Sequence, residues 1–114
     1  MWNLTVSLSK YRAMWLVAMF DLPVTTRKAR KAYAQFRKVL LNRGFTMLQY
    51  SVYARYCGSE EASQTHRNHL RRVLPAEGQV RLMAITDRQF GKMEVFFGKK
   101  RQPTEKAPDQ LLLF

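Results

Sequence analysis

The chain has 114 residues, 46% of them hydrophobic and 25% charged, and 20 Lys+Arg against 8 Asp+Glu give a formal net charge of +12. That length fits one domain burying roughly two thirds of its unfolded surface, and the composition is that of a globular chain and not a disordered one. The single cysteine, Cys57, excludes an internal disulfide and points to a reducing compartment, while no segment approaches the roughly 20 apolar residues that cross a bilayer.

A cytoplasmic protein without a membrane partner is therefore expected, and Met1–Arg12 has no positive leader ahead of an apolar block. The charge calls for a polyanion, and nucleic acid is the common soluble one, although charge alone does not separate it from an anionic membrane or an acidic protein. In residues 1–12, Trp2, Leu4, Val6 and Leu8 alternate with Asn3, Thr5, Ser7 and Ser9. This extension suits an added edge strand and a loose terminus equally.

Ala13–Asp21 follows as eight apolar residues ending in one carboxylate, the pattern of a strand covered on both faces. Leu22-Pro23-Val24-Thr25-Thr26 reads as a turn with capping hydroxyls. Ala29, Tyr33, Phe36 and Leu40 then make one helical stripe, stopped by Gly44. The other faces carry Arg27, Lys28, Arg30, Lys31, Arg37, Lys38 and Arg43 with no acid among them. Like charges at this density repel, so an external polyanion explains them better than solvation does.

Phe45–Cys57 is too long for one strand and predicts a hairpin split near Tyr50. Gly58-Ser59-Glu60-Glu61 opens a second helix, with Leu70, Val73 and Leu74 expected on its buried side and Pro75 ending it. Val80–Thr86 is a strand, Asp87–Gly91 a turn, and Met93–Phe97 an extra strand. The order is a ferredoxin-like α+β arrangement, βαββαβ over residues 13–98, its antiparallel sheet bearing two helices on one face. The other face is apolar, and a two-fold homodimer joined sheet to sheet would cover it. Residues 99–114 form a basic, proline-containing tail that ends in Leu111-Leu112-Leu113-Phe114.

Phe20-Asp21-Leu22, the basic residue Arg27, and Gln49-Tyr50-Ser51-Val52-Tyr53 together resemble the small CRISPR-associated endoribonuclease family, the compact partner of the integrase that inserts spacers. Ile85-Thr86-Asp87-Arg88-Gln89-Phe90-Gly91-Lys92-Met93 is similar to the branch found in type II systems. The resemblance implies a ferredoxin-like homodimer, a divalent cation (usually magnesium), and double-stranded DNA bound beside the integrase, with RNA as the other polynucleotide such proteins are named for. By position, Asp21 matches the acid with which members bind metal. Phe20 stands where a tyrosine is frequent, which removes a hydroxyl from the site.

Asp21 is thus the candidate metal ligand and catalytic residue, holding Mg2+ to position a water against a phosphodiester. One acid per subunit is thin for hydrolysis, although a two-fold axis would bring two together. The structural alternative is a strand-end acid paired with Arg27, and Asp87 assists only if the two strand ends meet. Arg27, Lys28, Arg30, Lys31, Arg37 and Lys38 are the candidate nucleic-acid contacts, indifferent to base sequence. His66 and His69 lack a third ligand and receive no site. Arg43-Gly44-Phe45 echoes an RNA-recognition signature on the wrong element. Gln110–Phe114 resembles a peptide that binds the replication sliding clamp, and docking on the dimer mate or the integrase is the preferred alternative.

The expected function is a spacer-acquisition adaptor, a dimeric ruler on duplex DNA. A magnesium-dependent endonuclease acting through paired Asp21 stands second, and a stand-alone, toxin-like endoribonuclease third.

Overall fold

In a computed structural model of the chain, residues 12–108 are described. The expected edge strand in residues 1–11 and the apolar end at 109–114 lie outside them. The solid apolar run forms β1 (Met14–Asp21), and its lack of alternation is explained by its place in the sheet. Hairpin strands β2 (Thr46–Gln49) and β3 (Val52–Cys57) lie to one side and β4 (Gln79–Thr86) to the other, giving the order β2-β3-β1-β4. Both neighbours of β1 run antiparallel to it, so it is interior and loses water from both faces.

Alternation along β1 sends Leu16, Ala18 and Phe20 to one face and Trp15, Val17 and Met19 to the other. The first set packs beneath two helices, α1 (Arg27–Asn42) and α2 (Glu60–Arg72), through Phe36, Leu40 and Leu70. The Thr26 hydroxyl accepts from the Ala29 amide at 3.0 Å, as its position predicts, and Ser59 does the same for Ala62 at 3.1 Å. Gly44, with φ +84°, closes α1: its amide reaches the Leu41 carbonyl while that of Phe45 reaches Leu40, both at 3.0 Å. Phe45 and Leu40 are both buried, the apolar contact that accompanies this stop. Cys57 is buried and free. This is the ferredoxin-like α+β architecture with two helices on one sheet face.

Three expectations change. Val73 and Leu74 are exposed, because α2 ends at Arg72 and the chain leaves the helical register two residues before Pro75. The turn at 87–91 is a short helix, α3 (Asp87–Gly91), capped reciprocally by Thr86 and Gln89. It drops Phe90 onto Trp15 at a centroid distance of 3.9 Å, and Ala107 packs on the same cluster, so one end of the helix-free face is already covered. The extra strand, β5 (Val95–Phe97), leaves the main sheet and pairs with β6 (Lys100–Gln102), forming a hairpin across residues 98–99. Phe96 and Phe97 on β5 are exposed.

Candidate nucleic-acid interface and strand-end carboxylate

At about 100° per residue, Phe36 and Leu40 point one way around α1, Arg27, Lys31 and Lys38 point the opposite way, and Arg30 and Arg37 lie to one side between them. All five, and Lys28 beside them, are exposed. Between Arg27 and Lys38 the axis advances about 16 Å at 1.5 Å per residue. The first turn holds no acid, only Arg27 and Lys28. Cations there oppose the helix dipole and lower stability by a few tenths of a kcal/mol each, roughly. Two side chains are anchored: Arg30 donates to the Val24 carbonyl at 3.2 Å, and Arg37 Nε donates to the Tyr53 hydroxyl at 2.8 Å. For Lys28, Lys31 and Lys38 no side-chain partner occurs among the described residues.

Asp21 ends β1, exposed, opposite Gln79 of β4. A shallow recess of about 200 Å³ there is lined by Met19, Phe20, Asp21, Gln79 and Arg81. Gly78 brings β4 this close: its φ is +93°, and a Cβ would stand 2.7 Å from the Asp21 carbonyl oxygen. The β2–β3 turn closes the same edge, for the Phe20 amide donates to the Ser51 carbonyl at 3.0 Å. The end of β1, the start of α1, the start of β4 and this turn therefore share one rim.

The expected Asp21–Arg27 pair is absent; among the described residues the one ion pair joins Arg101 to Glu94 at 3.6 Å on the surface. Asp87 does not assist either. The register sets Asp21 against Gln79 and Met14 against Thr86, seven residues apart, so Asp87 lies roughly 23 Å away at the far end of the strand. Its carboxylate instead accepts from the Trp15 indole at 2.7 Å. Among the described residues no group of three or more His, Cys, Asp or Glu is placed to hold a metal. The recess thus offers a single carboxylate from one chain, a donor set that suits a largely hydrated Mg2+ and no dedicated cage.

His66 accepts from Arg43 Nε at 3.1 Å. Burial, then Arg55 and Arg43, hold its pKa down at about 4, so it is a neutral structural acceptor. Reading the sequence left Gly78 without a role and took Tyr50 only as the hairpin break, not as an exposed ring packed on Tyr33. A glycine directly ahead of a strand and an aromatic at a hairpin tip were the available signals.

An antiparallel ferredoxin-like sheet with a solvent-facing acid at the end of its central strand and a one-sided cationic helix defines a class of small basic α+β proteins. The family described as CRISPR associated protein Cas2 matches residues 14–93, and the chain belongs to it. It is 59% identical over 101 residues to the CRISPR-associated endoribonuclease Cas2 of Parvibaculum lavamentivorans, covering 89% of this chain and 100% of that protein. The protein of the same name from Flavobacterium psychrophilum is 49% identical over 94% of this chain and 93% of its own length. That of Paracidovorax avenae is 48% identical over 94% and 99%. No described helix is long and apolar enough to cross a membrane.

Proposed function

We propose that this chain acts in CRISPR spacer acquisition as a homodimer that grips double-stranded DNA beside the integrase. The observation that carries the reading is the one-sided face of α1, where cations are spent against the helix dipole with no acid to balance them. Five cations along about 16 Å of one helix can meet several backbone phosphates. Without a regular base-reading element, affinity is independent of sequence and falls steeply with salt. Cytoplasmic placement follows from this role.

The test is a titration of duplex DNA against Lys28→Glu, Lys31→Glu and Lys38→Glu combined. These lysines are preferred because Arg30 and Arg37 also hold the fold. Binding at moderate salt should vanish while the thermal unfolding midpoint stays within a few degrees. Unchanged affinity would remove α1 as the contact surface.

The second reading is a magnesium-dependent nuclease, favoured by the exposed, unpaired Asp21 and by the endoribonuclease name that the relatives carry. Asp21 would hold Mg2+, with a second Asp21 supplied across the two-fold axis of the proposed dimer. The ion would supply polarisation of a phosphate oxygen and a more acidic water, and Arg81 and Gln79 would border the approaching phosphate. Asp21→Ala separates the two readings. Spacer acquisition that survives with any cleavage lost supports the adaptor. Acquisition that disappears while dimer and DNA binding persist supports the enzyme.

A further inference from the structure

Among the residues that the four paired strands send to the helix-free face, two are charged: Asp21 at the end of β1 and Arg81 on β4. Arg81 stands directly opposite Met19, and Asp21 lies two residues beyond Met19 on the same face. The two are diagonal cross-strand neighbours, roughly 7–8 Å apart, a gap that a long side chain reaches across. Both are exposed, and both line the recess of about 200 Å³ together with Gln79. Yet they form no ion pair: among the described residues the one such pair joins Arg101 to Glu94.

A guanidinium this close to a carboxylate that holds Mg2+ is unfavourable by itself, because the two positive charges repel. The conflict disappears when an anion stands between them. A phosphodiester has the right chemistry on both sides. Mg2+ takes substrate phosphate oxygens alongside one or two carboxylates and its waters. An arginine offers a planar fork of donors that matches two phosphate oxygens at once. No cation of α1 lines this recess, so Arg81 is the residue that can meet a phosphate there.

We propose that Arg81 grips the same phosphodiester that meets the Mg2+ held at Asp21, making the recess a composite metal–phosphate site. This rests on the reading of Asp21 as a metal ligand and assigns the phosphate-binding residue to β4. In hydrolysis a water oxygen bonds to phosphorus, one P–O ester bond breaks, and a proton of that water ends on the released oxygen. Arg81 neutralises charge on the two phosphate oxygens that carry no ester bond. The grip itself needs no cleavage.

The experiment uses the full chain, Mn2+ as a paramagnetic substitute for Mg2+, and TpT, a dinucleotide with a single phosphodiester. Electron paramagnetic resonance reads free Mn2+, and Mn2+-induced broadening of the phosphorus resonance reads TpT; Asp21→Asn should show neither effect. Arg81→Gln should weaken TpT roughly tenfold while Mn2+ alone binds as well or more tightly. One substitution thus moves two affinities apart, which the loss of a merely structural residue does not do. Arg81→Lys keeps the charge without the fork, and should recover part of the TpT affinity with Mn2+ binding unchanged. Unchanged TpT affinity in Arg81→Gln overturns the proposal, as does weaker Mn2+ binding, which would make Arg81 a support for Asp21. A changed sedimentation coefficient in Arg81→Gln also overturns it and gives the residue to a subunit interface. A wild type that binds Mn2+ without broadening the phosphorus signal sinks this inference alone, and one that binds no Mn2+ sinks the metal reading with it.

Discussion

Gly78 shows how one residue can set a rim. Its φ of +93° lies where a Cβ is strained, and that Cβ would press within 2.7 Å of both the Asp21 carbonyl oxygen and Leu22 Cδ2. Backbone cannot rotate aside as a side chain can, so β4 would have to withdraw from the end of β1. Gly78→Ala should therefore cost about 2–4 kcal/mol in urea-unfolding free energy, combining left-handed strain with a backbone clash. His66 makes a second prediction at this scale. Its folded pKa of about 4 lies below the ordinary 6.5, so the unfolded chain takes up a proton first as pH falls. Stability should accordingly drop between pH 6.5 and 4 and lose no more to this group below 4. His66→Gln should flatten the dependence of the urea midpoint from pH 7 to 5.5; an unchanged slope would assign it to other groups.

At the level of elements, what could be read in advance was whatever periodicity dictates. The unalternating run of β1, the apolar stripe and glycine stop of α1, and the hairpin break at Tyr50–Ser51 each follow from local pattern, and each stands where expected. Short or contact-dependent elements did not follow. The five residues of α3 contain less than two helical turns, and only the capping pair Thr86–Gln89 and the Phe90–Trp15 stack hold them helical. Strand β6 overlaps the charge run Lys99-Lys100-Arg101, whose extended form depends on pairing with β5. The site was legible to the same degree: Asp21 and the α1 cations announce themselves by residue type, but the separation of Asp87 from Asp21 is a matter of register. Within α1 the two faces should be separable by experiment. Leu40, fully buried, should cost about 2–5 kcal/mol when changed to Ala. Lys31→Gln should leave stability within about 0.5 kcal/mol and reduce the slope of log affinity against log salt by about one unit.

For the whole molecule the decisive question is what covers the rest of the helix-free face. Trp15 and Val17 are buried within one chain, beneath Phe90 and their neighbours, but Met83 on β4, opposite Val17, is 45% exposed, and Phe97 on the separate β5–β6 hairpin is 72% exposed. Apolar groups left this open on a small body mark a contact surface. Yet each chain carries +12, so in the proposed homodimer two copies would meet against considerable repulsion, which salt screens over about 10 Å at 0.1 M. Dimer formation and duplex binding should therefore respond to salt in opposite directions. The proposed apolar contact should tighten as repulsion is screened, and the proposed phosphate contact should weaken as counterion release loses its advantage. Sedimentation velocity from low to high salt should show the dimer fraction rising while fluorescence anisotropy shows duplex affinity falling. Met83→Glu combined with Phe97→Glu should yield a 13.4 kDa particle at every salt concentration. If the paired arrangement is what positions two phosphate-binding helices along one duplex, that monomer should also lose about half of the salt slope. A double variant that still sediments as a dimer would move the interface elsewhere on the molecule.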